Sequence, residues 1–187
     1  MSRLGREHDA SRARFLRGDF RGRRAPLRPP WSLPEAAFVD ACNRCGECAK
    51  RCPEGILVAG EGGFPKIEFF RGECTFCGDC LKACETGALR AAQGELLHDG
   101  TTNETPPWDL RAAVSREICI AFHGIVCRAC GENCDAGAIH FRLAVGGFAL
   151  PELDKEACSG CGACVRPCPV QAVKITRAAN IRTEKEA

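Results

Sequence analysis

A chain of 187 residues with 16 cysteines and a formal net charge of +2 can build one ordinary core or two small ones. No apolar run approaches the roughly 18 residues of a membrane-spanning helix, so a soluble protein without a span is expected. No signal-peptide pattern is read at its start, and disulfide-framed secreted scaffolds are usually far shorter, so a disulfide framework is not expected either.

The small net charge hides an asymmetry. Residues 1–30 carry nine arginines against Glu7, Asp9 and Asp19, a net of +6 that leaves −4 for the rest. With almost no aliphatic periodicity, residues 1–35 read as a basic, disordered or partner-ordered arm. No recognition fold follows it, so nucleic acid is not the expected partner. The run Ser11-Arg-Ala-Arg-Phe-Leu-Arg17 has no adjacent arginines and no apolar stretch after it, so export is not expected. Arg28-Pro-Pro-Trp-Ser32 is a stiff extended segment, and Trp31 has two readings: a cap on the apolar side of the first cysteine cluster, or a partner anchor of the kind tryptophan often provides.

The cysteines fall into four quartets that use all sixteen: Cys42, Cys45, Cys48, Cys52; Cys74, Cys77, Cys80, Cys84; Cys119, Cys127, Cys130, Cys134; and Cys158, Cys161, Cys164, Cys168. The last is C-x2-C-x2-C-x3-C-P, the ligand run of a bacterial [4Fe-4S] site, and the first is also followed by a proline, Pro53. Soft thiolates suit cubane iron, and x2 gaps let one tight loop aim three sulfurs at three corners. The fourth corner is reached from elsewhere, because in two-cluster ferredoxins the fourth cysteine of each run ligates the other run's cluster. That analogy groups Cys42, Cys45, Cys48 with Cys84, and Cys74, Cys77, Cys80 with Cys52. It likewise groups Cys119, Cys127, Cys130 with Cys168, and Cys158, Cys161, Cys164 with Cys134. Structural zinc normally uses two separated C-x2-C pairs, which a triple C-x2-C-x2-C does not resemble.

An internal repeat organises the chain. Gly62-Gly63-Phe64 before the second quartet recurs as Gly146-Gly147-Phe148 before the fourth, and Cys45, Cys48 and Cys52 fall on Cys127, Cys130 and Cys134. Residues 36–90 and 112–178 are therefore read as two copies of one unit, joined by a polar linker, 91–111, and followed by a tail, 179–187. In the third quartet the register places Gly124 where a cysteine is expected, and Cys119 must reach across an insertion; a free structural cysteine, or His123 as a substitute ligand, are the alternatives there. Each half holds two quartets in about fifty residues, too few for a self-sufficient apolar core, so the clusters themselves should act as core and the apo-protein should be largely unfolded. The partial alternation in 66–70 and 138–142 suggests short half-buried strands, and the residues after each third cysteine, such as Leu81 to Cys84, suggest short helices. The fold class expected is α+β: tandem bacterial ferredoxin-like units, each around two [4Fe-4S] clusters, four in all. Apolar lining and backbone N–H groups donated to sulfur would tune their potentials.

With its arginine-rich start, Arg28-Pro-Pro-Trp-Ser32, Trp108-Asp-Leu110 and the third quartet in the form Cys119-x7-Cys127-Arg-Ala-Cys130-x3-Cys134 followed by Ile139-His-Phe-Arg142, the chain resembles the NapF family of ferredoxin-type proteins, bacterial polyferredoxins encoded with periplasmic nitrate reductase. The resemblance covers nearly all of residues 11–176. It implies a cytoplasmic accessory protein that contacts the catalytic molybdenum subunit of that reductase before export and supports its maturation or transfers electrons to it. Arg28, Trp31 and Trp108 are then candidate partner-binding residues. A general electron carrier, or an electron-transfer subunit of an oxidoreductase complex, is the alternative. No nucleotide fingerprint and no nucleophile-base arrangement accompanies the cysteines, so an enzyme is not expected; Glu47 and Asp79, inside quartets, read as surface charges.

Overall fold

The computed structural model describes residues 26–91 and 107–180; the arm before residue 26, most of the expected linker and the tail from 181 lie outside the described residues. Among the described residues the first helix is α1, Glu35–Ala41, which starts after Pro34 with Glu35 in its first turn and buries Phe38. Two shorter helices, α2, Glu47–Arg51, and α3, Asp79–Lys82, each begin after a left-handed glycine, Gly46 (φ +78°) and Gly78 (φ +76°). Glu47 and Asp79 supply the negative charge that favours a helix start, and each makes an exposed pair one turn on, with Lys50 and Lys82.

Strands β1, Leu57–Ala59, and β2, Pro65–Ile67, form an antiparallel hairpin with Leu57 opposite Ile67. Its counterpart in the second half is β4, Ile139–Leu143, with β5, Ala149–Leu153, where Ile139 faces Leu153. The repeated Gly-Gly-Phe is the turn of both hairpins. Gly62 and Gly63 (φ +65° and +81°) and Gly146 and Gly147 (φ +93° and +81°) take two successive positive φ values, which only glycine adopts without strain. The outer strands of the second half, β3, Leu110–Val114, and β6, Val173–Arg177, pair antiparallel. In the first half the equivalent closure is a single bridge between Ser32 and Leu89, extended by Arg90 N–H to Trp31 O at 2.8 Å. A fourth short helix, α4, Ala129–Glu132, completes the regular structure between these elements. The architecture is a small mixed helix and strand fold, and one apolar core runs from Phe38, Ile56 and Leu89 through Leu110 and Ala112 to Ala138 and Val173.

Several local expectations shift. The short helices begin one residue before the third cysteine instead of after it, because the left-handed glycine turns the chain there; the fourth quartet forms turns at 163–167 and no helix. Of the strand expected at 66–70 only Lys66 and Ile67 pair, since Phe69 turns into the core. β3 starts inside the stretch read as linker, at Leu110, because β6 from the far end of the chain supplies its partner.

Candidate iron-sulfur centres

Three of the four quartets share one backbone device. The residue before the second cysteine and the residue after it are both left-handed: Arg44 and Gly46, Phe76 and Gly78, Gly160 and Gly162. Such alternation curls successive N–H groups toward one side, a concavity suited to an anionic cluster. Arg44 and Phe76 adopt it without being glycine, at a cost of about 1–2 kcal/mol each. The Arg44 guanidinium lies over the Phe64 ring at 5.3 Å, and Phe76 packs edge-on against Trp108 at 5.4 Å, so side-chain contacts hold both turns. The third quartet lacks the device, since Arg128 sits at φ −130° between Cys127 and Cys130.

The structure brings the cysteines together across the quartets. Cys52 lines one cleft of about 330 Å³ with Cys74, Cys77 and Cys80, walled by Pro30, Trp31, Ile56 and Phe76. Cys134 lines another of about 300 Å³ with Cys158, Cys161 and Cys164, walled by Ala112, Ile139 and Ile175. Burial pushes the Cys48 thiol up to about 11, and the neighbouring sulfurs of Cys42, Cys45 and Cys84 act in the same direction. Burial likewise raises Cys130 to about 11, with Cys119 and Cys127 beside it. Cys168 packs against the small buried cluster of Cys119, Ala121 and Ala172. His123 is turned to the Glu117 carbonyl at 3.0 Å, not to these sulfurs.

The donor chemistry fits a cubane. Among the described residues no three His, Cys, Asp or Glu side chains converge closely enough to hold a single ion. One tetrahedral zinc at Zn–S near 2.3 Å would draw its sulfurs to about 3.8 Å from one another, whereas a cubane is gripped at its outer corners. Burial also raises Cys74, Cys80 and Cys164 to about 12, so bare thiolates are unwelcome in these walls and need the iron charge to form. Backbone donors point at sulfur: Leu89 N–H to Cys84 at 3.4 Å, Ala138 N–H to Cys134 at 3.3 Å, Ala172 N–H to Cys168 at 3.2 Å and Ala112 N–H to Cys158 at 3.5 Å. At Cys84 burial is outweighed by bonds from Leu89, the Thr86 hydroxyl and Ala88, which hold the thiol below its ordinary value.

The candidate partner residues Arg28, Trp31 and Trp108 all make contacts within the chain. Arg28 grips Glu35 through two nitrogens, donates to Pro65 O at 2.9 Å and lies over Phe38 and Phe64. Trp31 is 7% exposed, and its backbone N–H donates to Pro107 O at 3.2 Å. Trp108 donates its indole N–H to Ser159 O at 2.8 Å and meets the edges of Phe69 and Phe76. Arg28 holds the first half together, and Trp108 binds the two halves to each other. Phe69, Gly160 and Gly162, which sequence reasoning does not single out, belong to the same contact, and no local pattern marks them.

Cysteine-walled clefts with N–H groups aimed at sulfur define an iron-sulfur protein of the ferredoxin type. A 4Fe-4S dicluster domain matches residues 41–88 and a 4Fe-4S binding domain matches residues 151–174. The chain is 42% identical over 172 residues to the ferredoxin-type protein NapF of Haemophilus influenzae, covering 87% of this chain and 91% of that one. It is 36% identical over 165 residues to the Escherichia coli NapF, covering 88% and 93%. It is also 32% identical over 150 residues to the methylamine utilization ferredoxin-type protein MauM of Methylorubrum extorquens, covering 76% and 67%. The chain belongs to the NapF family of ferredoxin-type proteins, and it is an electron-transfer and accessory protein, not an enzyme.

Proposed function

We propose that this chain is a tandem polyferredoxin with units at 36–90 and 112–178, each holding two [4Fe-4S] clusters on the sixteen cysteines. It acts in the cytoplasm on the catalytic molybdenum subunit of a periplasmic nitrate reductase, and it supports maturation of that subunit by electron transfer before export. The observation that carries the reading is the crossing of fourth cysteines, with Cys52 beside the Cys74 triplet and Cys134 beside the Cys158 triplet. Family membership at 36–42% identity supports the choice of partner.

Bound cubanes supply one-electron chemistry, and the residues around them set its conditions. The thiolates hold the iron, the N–H donors of Leu89, Ala112, Ala138 and Ala172 stabilise added negative charge, and Trp31, Ile56, Ile139 and Ile175 limit water. Each oxidised cluster with four thiolates carries about −2, which makes the body acidic and leaves the arginine-rich arm as its positive end. This reading assigns the partner to the arginine-rich arm, which is opposite in charge to the body.

Anaerobic iron and sulfide analysis with EPR tests the cluster count, and a content near two clusters per chain would sink it. Capture of the reductase catalytic precursor by the full chain, set against a variant lacking residues 1–25, tests the partner; undiminished capture by the truncated protein removes the arm from the reading. The likeness to MauM favours a second reading, a general electron carrier or an electron-transfer subunit of an oxidoreductase complex. Normal maturation of the reductase, with electron delivery lost, in cells lacking this protein would select that one.

A further inference from the structure

The two cysteine-walled clefts meet where the halves of the chain touch. Cys74 N–H donates to Cys161 O at 2.8 Å, so a residue of one cleft is bonded directly to a residue of the other. Around this bond the packing is close. Phe69 lies on Gly162 so tightly that an added Cβ would fall against its ring, and Gly160 is pressed in the same way on the Leu110 carbonyl. Trp108 closes the side, bonded to Ser159 O at 2.8 Å and edge-on to Phe69 and Phe76. Both glycines are left-handed members of the Cys158 loop, so the turn that shapes the ligand loop also makes room for the other half. Such closeness is not needed merely to tether two units, which a linker would do.

Resting on the four-cluster reading above, we propose that the Cys74–Cys161 contact is an electron-transfer junction that joins the halves and sets four centres in one line, with the Cys42 and Cys119 quartets at its ends. Within each half the order follows from proximity. The helices that carry Cys48 and Cys80 pack against each other, and Cys130 and Cys164 are buried in one core. The step across the junction balances by itself: one electron leaves the reduced centre of one half, which is oxidised by one, and reduces the oxidised centre of the other by one. No proton moves and no bond is made or broken. The buried Phe69 ring at the contact keeps water from that side and limits solvent reorganisation around the step.

The test uses the full holo-protein, reduced to completion with dithionite under argon, with cluster content and EPR spin coupling as readouts. The junction gives two centres with two coupled neighbours each and two with one. Separate halves would give four centres with one neighbour each, and that pattern in the wild type overturns the junction. A wild-type content of two clusters overturns instead the four-cluster reading beneath it. Phe69→Ala, which removes the ring seated on Gly162 and leaves every ligand loop untouched, is expected to keep four centres but weaken the coupling between the central pair. Coupling unchanged in a fully loaded Phe69→Ala protein counts against the junction, and if that variant loads incompletely the wild-type pattern decides.

Discussion

Trp31→Ala separates packing from docking. The indole is 7% exposed and walls the cleft lined by Cys52, Cys74, Cys77 and Cys80. Burial of about 150–250 Å² at about 25 cal/mol/Å² is worth roughly 4–6 kcal/mol, and allowing for a partly compact unfolded chain brings it to about 3–5 kcal/mol. That agrees with the cost of about 3–5 kcal/mol seen when buried Trp or Phe is cut to Ala. The backbone at residue 31 sits at φ +60° for either side chain, so its strain cancels. The loss raises the population of the locally opened cleft by roughly two to three and a half orders of magnitude. Chelator-driven bleaching of the visible iron-sulfur absorbance, followed anaerobically, should therefore gain a fast phase of about a quarter of the amplitude, one centre in four. Unchanged bleaching together with lost capture of the reductase subunit would refute the reasoning and restore Trp31 as an anchor.

Cys168→Ser should abolish the EPR signal of the centre held by Cys119, Cys127 and Cys130 while the Cys158 centre survives, since Cys168 packs beside Cys119; loss of the Cys158 centre alone would break the crossed assignment. Gly160→Ala adds a Cβ against the Leu110 carbonyl at a residue with φ +73°. At about 1–2 kcal/mol for the conformation alone, and more for the displaced strand, it should lower the holo-protein melting temperature and cluster retention in the second half. Arg28→Lys keeps the charge but loses the two-nitrogen grip on Glu35 and the stacking over Phe38 and Phe64. A destabilisation of about 1–3 kcal/mol is expected in denaturant titration, and a change within error would mean that the clamp does not matter.

What was legible in the sequence is what local chemistry dictates. Ligand loops must place three sulfurs within a few residues, so the C-x2-C-x2-C spacing pointed to the candidate centres, and the paired glycines before Phe64 and Phe148 marked the repeat without announcing the hairpin turns they form. The orientation of Pro-Pro-Trp was not legible, because a stiff strap reads the same whether it faces inward or outward. Trp31 is held by Pro107 and Arg90, both far along the chain. Leu110 and Arg111 of β3 were read as linker for the same reason, since β6 lies some sixty residues away. Nor does any propensity announce a left-handed Arg44 or Phe76; the packing of Phe64 and Trp108 imposes it.

The irregular third quartet follows from that geometry. The other three loops need a left-handed residue on each side of the second cysteine, and here Val126 and Arg128 flank Cys127, neither of them with positive φ. Without the tight turn the chain cannot bring a cysteine three residues earlier into line, and Gly124 at that position is spent instead on closing a 3-10 turn, Ile120–His123, with φ +80°. That turn packs under Phe148 of the hairpin and holds Cys119 buried at its start, beside Ala172 and Cys168. The insertion therefore replaces a local ligand loop with a tertiary one. Restoring the local pattern, with Gly124→Cys and Arg128→Gly in a Cys119→Ala background, should recover the lost centre if loop geometry alone decides the ligand; failure with the other three centres intact would show that the turn under Phe148 is required.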